Sequence, residues 1–463
     1  MRKSCSRTQV RAIRSLQYVV GSCQIDSLLV IALLGIVGVA IFLSILRKPW
    51  LGLAYLVAFL PFNALITQLL GSGTEATAVG AFKDIVLSIL VLSVLTTSSR
   101  FRLIRPAVVT LLTLIFILVL GASFLTPNFV QALYGFRNDY YPLLLLAVVP
   151  AVLDRESAGR ISTFIVAIAQ GVGLLSVASS FFGLNWLTIV GILPVEAGEV
   201  LSSSFFSQGS VTPRVFSPFT GPNELAVTNL IYLALIFCRE DWRLGSRVAL
   251  SALPVTAILM SESRSGALGL ALLLVTMAIR TLAKRGSGLA FAAVTVLGLG
   301  AIGAVVSFAQ GLGSSNDFSF QGHAVSMAEA IPRMVENPFG HGLGQVGPRA
   351  YLYSDTPVLV ESYWLLLALE AGLVVLLLYL ALLAVVAADA WRSKSALAFV
   401  PVAALAASVT SQVVLPTLQE GAVCYTLWIV IGIGVVNARE ARMASGEDSV
   451  GWSTAAMAKK VDI

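Results

Sequence analysis

Ser261-Glu262-Ser263-Arg264-Ser265-Gly266 lies between two hydrophobic blocks and reads as a tight hairpin, with Ser263 or Ser265 placed to cap the helix that follows. A helix starting there directs its free N–H groups and positive dipole end to the same place as the Arg264 guanidinium, an arrangement that binds phosphates. Thr220-Gly221-Pro222-Asn223-Glu224 puts Pro222 at a first helical position, so a second helix N-terminus opens eight residues after Arg214. Two N-termini with Arg214 and Arg264, and Arg137 as a third cation, suit a diphosphate, with Asn223, Ser263 and Ser265 as neighbouring polar contacts. The plainer alternative makes both motifs ordinary capped helix starts and lets each arginine snorkel from an apolar setting to water. Three such arginines near bends otherwise poor in cations favour an anion-binding cluster.

Both histidines, His323 and His341, fall in the stretch 310–358, which also holds Asn337-Pro338-Phe339-Gly340-His341-Gly342-Leu343-Gly344-Gln345. A histidine in a glycine-rich loop either shapes a turn or moves a proton. Glu361 follows at the mouth of the next hydrophobic block, again at a helix start. The dipole there favours its carboxylate and burial opposes it, so it is either a base or a helix-capping group. No acidic pair or histidine cluster stands at ligand spacing, so no metal is expected, and no other cofactor. Cys5, Cys23, Cys238 and Cys424 lie far apart without a C-x-x-C spacing, which gives neither a metal site nor a disulfide framework.

The elements that must position these residues are hydrophobic. The chain has 463 residues, 57% apolar and 12% charged, far from the quarter charged of soluble domains, so most of it must face lipid. Disorder, collagen and coiled coil are excluded, and the net charge of +6 implies no nucleic acid. Apolar blocks fall at 27–46, 51–69, 81–97, 107–125, 139–153, 161–183, 223–238, 246–261, 265–282, 288–309, 362–388, 395–415 and 419–436. The expected fold is therefore all-α, a polytopic transmembrane bundle of twelve to thirteen spans in one domain, 1–463.

Under strict alternation the clusters Arg439/Arg442, Arg392/Lys394, Arg280/Lys284/Arg285, Arg239/Arg243/Arg247, Arg155/Arg160, Arg100/Arg102/Arg105 and Arg47/Lys48 share one side, which the positive-inside rule makes cytoplasmic. The C-terminus lies there too. The basic N-terminal tail fits only if the first block is re-entrant or interfacial, leaving twelve true spans. The opposite face holds two long connections, 184–222 and 310–358, with short helices expected in them, and short bends near Arg137 and Arg264. Loops of such length in a compact protein usually serve function.

These residues, in this order and on one face, resemble the O-antigen ligase and polysaccharide polymerase superfamily. The matching pieces are Arg214 with Gly221-Pro222-Asn223, the Ser263-Arg264-Ser265-Gly266 hairpin, Asn337-Pro338 with Gly340, Gly342 and Gly344, and Glu361-Ser362-Tyr363-Trp364-Leu365 leading to Glu370-Ala371-Gly372-Leu373. Gly135-Phe136-Arg137 with Tyr141-Pro142 resembles an upstream element of the polymerase branch. The resemblance implies a GT-C-like architecture in the bacterial inner membrane. It implies inverting, metal-independent glycosyl transfer at the external face, from an undecaprenyl-diphosphate-linked glycan to an acceptor sugar, alongside a flippase and a chain-length regulator. Arg214 and Arg264 would hold the diphosphate, with Arg137 as a third contact. Glu361 would act as base, with His341 and then His323 as substitutes. Where the ligase branch carries His-Asn, this chain has Glu361-Ser362, which tilts the resemblance towards polymerases. The alternatives are ligation of a finished glycan to lipid A core or protein, and, from another class, a transporter or flippase of a lipid-linked or anionic solute.

With Arg214→Cys and Arg264→Cys introduced singly, a membrane-impermeant thiol reagent is expected to label both from one side of the bilayer. Labelling from opposite sides would leave no shared pocket.

Overall fold

The computed structural model describes residues 38–70, 74–96, 105–183, 186, 213–286, 288, 318–353 and 358–445. The expected block at 288–309 beyond its first residue, the start of the first block and most of the connection 184–222 lie outside these residues. In chain order the helices are α1 (Gly38–Arg47), α2 (Trp50–Leu70), α3 (Thr74–Thr96), α4 (Pro106–Ser123), α5 (Phe129–Asp139), α6 (Tyr141–Val152), α7 (Arg155–Phe182) and α8 (Pro222–Cys238). They continue with α9 (Leu244–Met260), α10 (Arg264–Lys284), α11 (Phe318–Glu336), α12 (Tyr363–Ala371), α13 (Leu373–Arg392), α14 (Leu397–Ser408) and α15 (Gly421–Ser445). Among the described residues there is no strand, only an isolated bridge between Val346 and Val358. Among the described residues seven helices are long and apolar enough to cross a membrane: α2, α3, α4, α7, α10, α13 and α15. Shorter apolar helices, α1, α6, α8, α9 and α14, complete the bundle.

Local chemistry sets the helix starts. Asp154 forms a capping box with Ser157 at the head of α7, Pro222 occupies the first turn of α8, and the Ser263 hydroxyl caps α10. Two helices form the centre. α8 is buried along nearly its whole length and packs against α7, α9, α10, α14 and α15. α15 has 83% of its apolar window buried, against 22% for α10, so α15 is central and α10 peripheral. The outer helices leave large apolar side chains uncovered, including Leu114, Ile117 and Leu120 of α4 and Val374, Leu377 and Leu380 of α13. That belt is a lipid face.

Charge is segregated to the ends. At one end Arg239 bonds the Gly159 carbonyl and Thr163, Arg280 the carbonyls of Ser395 and Ala396, and Arg439 the carbonyl of Pro150. Lys284 pairs with Glu240 there, and Asp389 with both Arg105 and Arg442. Every one of these contacts joins helix ends that charge alternation assigns to a single side. The opposite end holds Arg137, Arg214, Arg264 and the glycine-rich loop.

Two expectations are corrected. The block 362–388 is two helices, because Gly372 adopts φ +93° between α12 and α13 and ends the first. Arg137 is on no bend: it sits in α5, an 11-residue helix capped by Asn128, whose side chain accepts from the N–H groups of Val130 and Gln131. The connection 310–358 contains α11, 19 residues long, followed by the loop 337–347.

That loop docks on the α12–α13 break. His341 N–H donates to the Leu369 carbonyl (2.6 Å), Gly342 N–H to that of Glu370 (3.0 Å), and Leu373 N–H to that of Pro338 (2.9 Å). The buried Glu370 carboxylate accepts the Gly344 N–H at 2.9 Å. On the far side, Gln131 of α5 donates to the Gly344 carbonyl at 2.8 Å, and Thr126 to that of Leu343 at 3.1 Å. Gly344 has φ +72°, and a Cβ there would lie 2.5 Å from the Gln131 carbonyl oxygen. Gly344→Ala is therefore expected to destabilise the protein by about 2 kcal/mol or more, from φ strain plus the clash. Thermal unfolding in detergent would check this; an unchanged midpoint would mean that the loop is not clamped.

Candidate functional site

Gly266 lets α10 approach α8 closely, since a Cβ there would lie 2.6 Å from the Cβ of Ala226. This approach brings two helix N-termini together. Ser263 Oγ accepts from Gly266 N–H at 3.1 Å, donates to Asn223 Oδ1 at 2.8 Å, and lies 3.0 Å from Ser265 Oγ. Asn223 Oδ1 also accepts from Arg214 Nη2 at 3.4 Å, while Arg214 Nε donates to the Ser261 carbonyl at 2.8 Å. Arg214 thus ties the C-terminal end of α9 to the N-termini of α8 and α10. Glu262 turns the chain between α9 and α10 with φ +49°, the sole positive φ outside glycine among the described residues.

Arg264 is the first residue of α10 and is exposed; Arg214 is half-buried. Burial pushes the Arg214 guanidinium below its ordinary pKa, Glu262 and Glu224 oppose that, and the nearby charge of Arg264 adds to it. A cleft of about 260 Å³ opens beside Arg214, walled by Trp186, Pro213, Phe216, Met260 and Glu262. Five expected residues, Arg214, Asn223, Ser263, Arg264 and Ser265, therefore form one cluster: two cations, two helix dipoles and a hydroxyl–amide network beside a cleft. Such a constellation holds a doubly charged anion by charge-assisted bonds.

The remaining expected residues lie elsewhere on the same end. Arg137 is held by protein: its Nε donates to Asp84 Oδ2 at 2.6 Å and its Nη2 to the Gly80 carbonyl at 2.9 Å. Lys83 and Tyr425 share Asp84 with it. Asn337 shapes the glycine loop by donating to the Gly340 carbonyl at 2.8 Å. His341 is fixed through its backbone on α12, with Nε2 buried and without a protein partner. His323 lies on α11, and its side chain is outside the described residues. Glu361 is half-buried just before α12, its N–H bonded to Ser326 Oγ of α11 at 3.0 Å.

Sequence reasoning missed Arg349 and Glu420. Arg349 stands on the short 3-10 turn Pro348–Leu352 and pairs with Glu420 at 2.6 Å, at the head of α15. Burial alone would lower the Arg349 pKa; Glu420 first, then Tyr134 and Asp139, more than reverse this and raise it. Being a cation in the other long connection, 310–358, Arg349 was open to the reasoning that singled out Arg214. Its partner, 71 residues away, was not.

Residues 249–380 match the family model described as O-antigen ligase. The match runs from α9 through the hairpin, α10, the glycine loop and Glu361 into α13. It includes Ser263, Arg264, Ser265, His323, Asn337, His341 and Glu361, and leaves Arg137, Arg214 and Asn223 outside. No curated protein matches the chain.

The Arg349–Glu420 pair is partly screened, with the two side chains 24% and 29% exposed. A double-mutant cycle with Arg349→Ala and Glu420→Ala is expected to give a coupling energy of about 1–3 kcal/mol in thermal or chemical unfolding. Additive effects would show that the two do not depend on each other.

Proposed function

From a chain that carries an O-antigen ligase domain within a multi-pass helical membrane protein, we propose a polymerase of undecaprenyl-diphosphate-linked oligosaccharide repeats, working at the outer face of the bacterial inner membrane. In this reading twelve spans form a GT-C-like bundle with both chain ends in the cytoplasm. The observation that carries the reading is the Arg214–Asn223–Ser263 network with Arg264 at two helix N-termini. A diphosphate is already a good leaving group, so a site acting on it requires cations and one base rather than the paired carboxylates of a glycosidase.

The acceptor hydroxyl attacks the anomeric carbon of the donor as the bond from that carbon to the diphosphate oxygen breaks, with inversion. The departing oxygen takes the electron pair. Arg214 and Arg264 bind the diphosphate, and their bonds strengthen as negative charge grows on that oxygen. Asn223 and Ser263 orient Arg214 and the α10 dipole. Glu361 accepts the proton of the attacking hydroxyl, with His341 and then His323 as substitutes. Arg137, engaged by Asp84, serves the rim of the site as a third cation. Glu361-Ser362 in place of His-Asn favours polymerisation; the family description favours ligation to lipid A core or protein as the second reading.

Lipid-linked repeat units alone, given to the purified protein, are expected to yield a ladder of oligomers. No product until a second acceptor is added would establish ligation instead. In the same assay Arg214→Ala and Arg264→Ala are each expected to lower the rate by at least about 10²-fold with insertion intact. Arg264→Lys should rescue only in part, since an ammonium lacks the planar fork. Glu361→Gln should cost more activity than His341→Ala or His323→Ala. Full polymer length in all these variants would dispose of the site.

A further inference from the structure

At the end of the bundle away from the Arg214 cluster, a narrow cleft opens between the N-terminus of α4, the C-terminal turns of α13 and the last half of α15. Three arginines line it. Arg105, which precedes α4, and Arg442 of α15 both reach the single carboxylate of Asp389. Arg439 is 6% exposed, and although its two terminal nitrogens bond the Pro150 carbonyl and Glu440, its Nε finds no protein acceptor. Counting Glu440, which pairs with Arg439, three positive charges stand against two negative, and the positive dipole end of the 18-residue helix α4 adds to them. Below the charges the walls are apolar, formed by Val108 and Val386 among others.

The enclosed volume is about 20 Å³, room for about one water-sized group. It admits one oxygen of a phosphate whose remaining atoms lie outside it. Trp391, 47% exposed one turn from the cleft, marks the level of the membrane interface. An anion reaching this cleft along the lipid face presents a phosphate oxygen to it and carries its own apolar chains.

We propose that this cleft binds the phosphodiester of an anionic phospholipid, with its oxygens on Arg105 and Arg442, one of them within reach of Arg439 Nε, and its acyl chains along the lipid face of α4 and α13. The cleft lies at the N-terminal end of α4, which runs roughly 27 Å at 1.5 Å per residue, and it shares no lining residue with the cleft beside Arg214. Asp389 competes with the lipid for both guanidinium groups and sets the affinity.

Native mass spectrometry of the full chain in detergent tests this, comparing retention of phosphatidylglycerol with that of phosphatidylcholine. The unaltered chain is expected to retain phosphatidylglycerol at least tenfold more strongly. Arg105→Gln combined with Arg442→Gln should erase that preference, and the thermal midpoint in phosphatidylcholine reports separately any stability lost when Asp389 is left without these two partners. Asp389→Asn should move the other way and tighten phosphatidylglycerol binding, so a misfolded arginine variant leaves the proposal open to refutation. Equal retention of the two lipids by the unaltered chain, or unchanged or weaker phosphatidylglycerol binding by Asp389→Asn, would overturn it. Displacement of the lipid by millimolar glycerol phosphate would also overturn it, identifying the ligand as a soluble phosphate.

Discussion

The Glu370 carboxylate, buried in the last turn of α12, accepts the N–H of Gly344 inside a protein wall made on one side by α5 and on the other by the α12–α13 break. A buried carboxyl oxygen left without a hydrogen bond costs free energy, and the approach of the loop backbone to Glu370 offsets part of that cost. Backbone can come that close only where side chains are absent. This explains why Gly340, Gly342, Gly344 and Gly372 all hold positive φ, and why Gly135 of α5 faces Gly344, where a Cβ would stand 2.4 Å from its nitrogen. The alternation of glycine with Phe339, His341 and Leu343 is thus a consequence of one carboxylate and three backbones meeting. His341 and Asn337 inherit their positions from it.

The polar end carries several cations, and protein groups offset most of their charge. Arg137 has Asp84, Arg349 has Glu420, and Arg214 has the dipoles of Ser261 and Asn223. Arg214 is held by the Ser261 carbonyl and Asn223, stands in the field of Glu262 and Glu224, and lines the cleft. The dipoles of Ser261 and Asn223 fix the orientation of its guanidinium at the cleft.

The all-helical, multi-pass character was legible in the sequence because hydropathy and the siting of Lys and Arg are one-dimensional quantities. The contacts of Arg239, Arg280 and Arg439 join helix ends that charge alternation had grouped. The caps were legible too, since Pro222 and Ser263 act within a few residues of themselves. What stayed hidden was non-local. Hydropathy cannot see the break at Gly372, because an apolar run reads the same whichever φ its glycine adopts. Nothing in the spacing links Arg137 to Asp84, 53 residues away, so Arg137 read as an unengaged cation. The cluster of Arg214, Asn223 and Ser263 was accessible only because two helix-start motifs, each recognisable locally, open towards the same side.

α8 has a further consequence. It spans 17 residues, roughly 25 Å at 1.5 Å per residue, short of a hydrocarbon core of about 30 Å. A helix of that length in direct contact with acyl chains would tilt, or thin the bilayer around it, as lipid composition varied. Being wrapped on all sides by other helices, α8 is shielded from hydrophobic mismatch. Asn223, mounted on its first turn, therefore keeps its height relative to Ser263 and Arg214 through neighbouring side chains rather than through membrane thickness, and the geometry of the cluster is insulated from changes in the surrounding lipid.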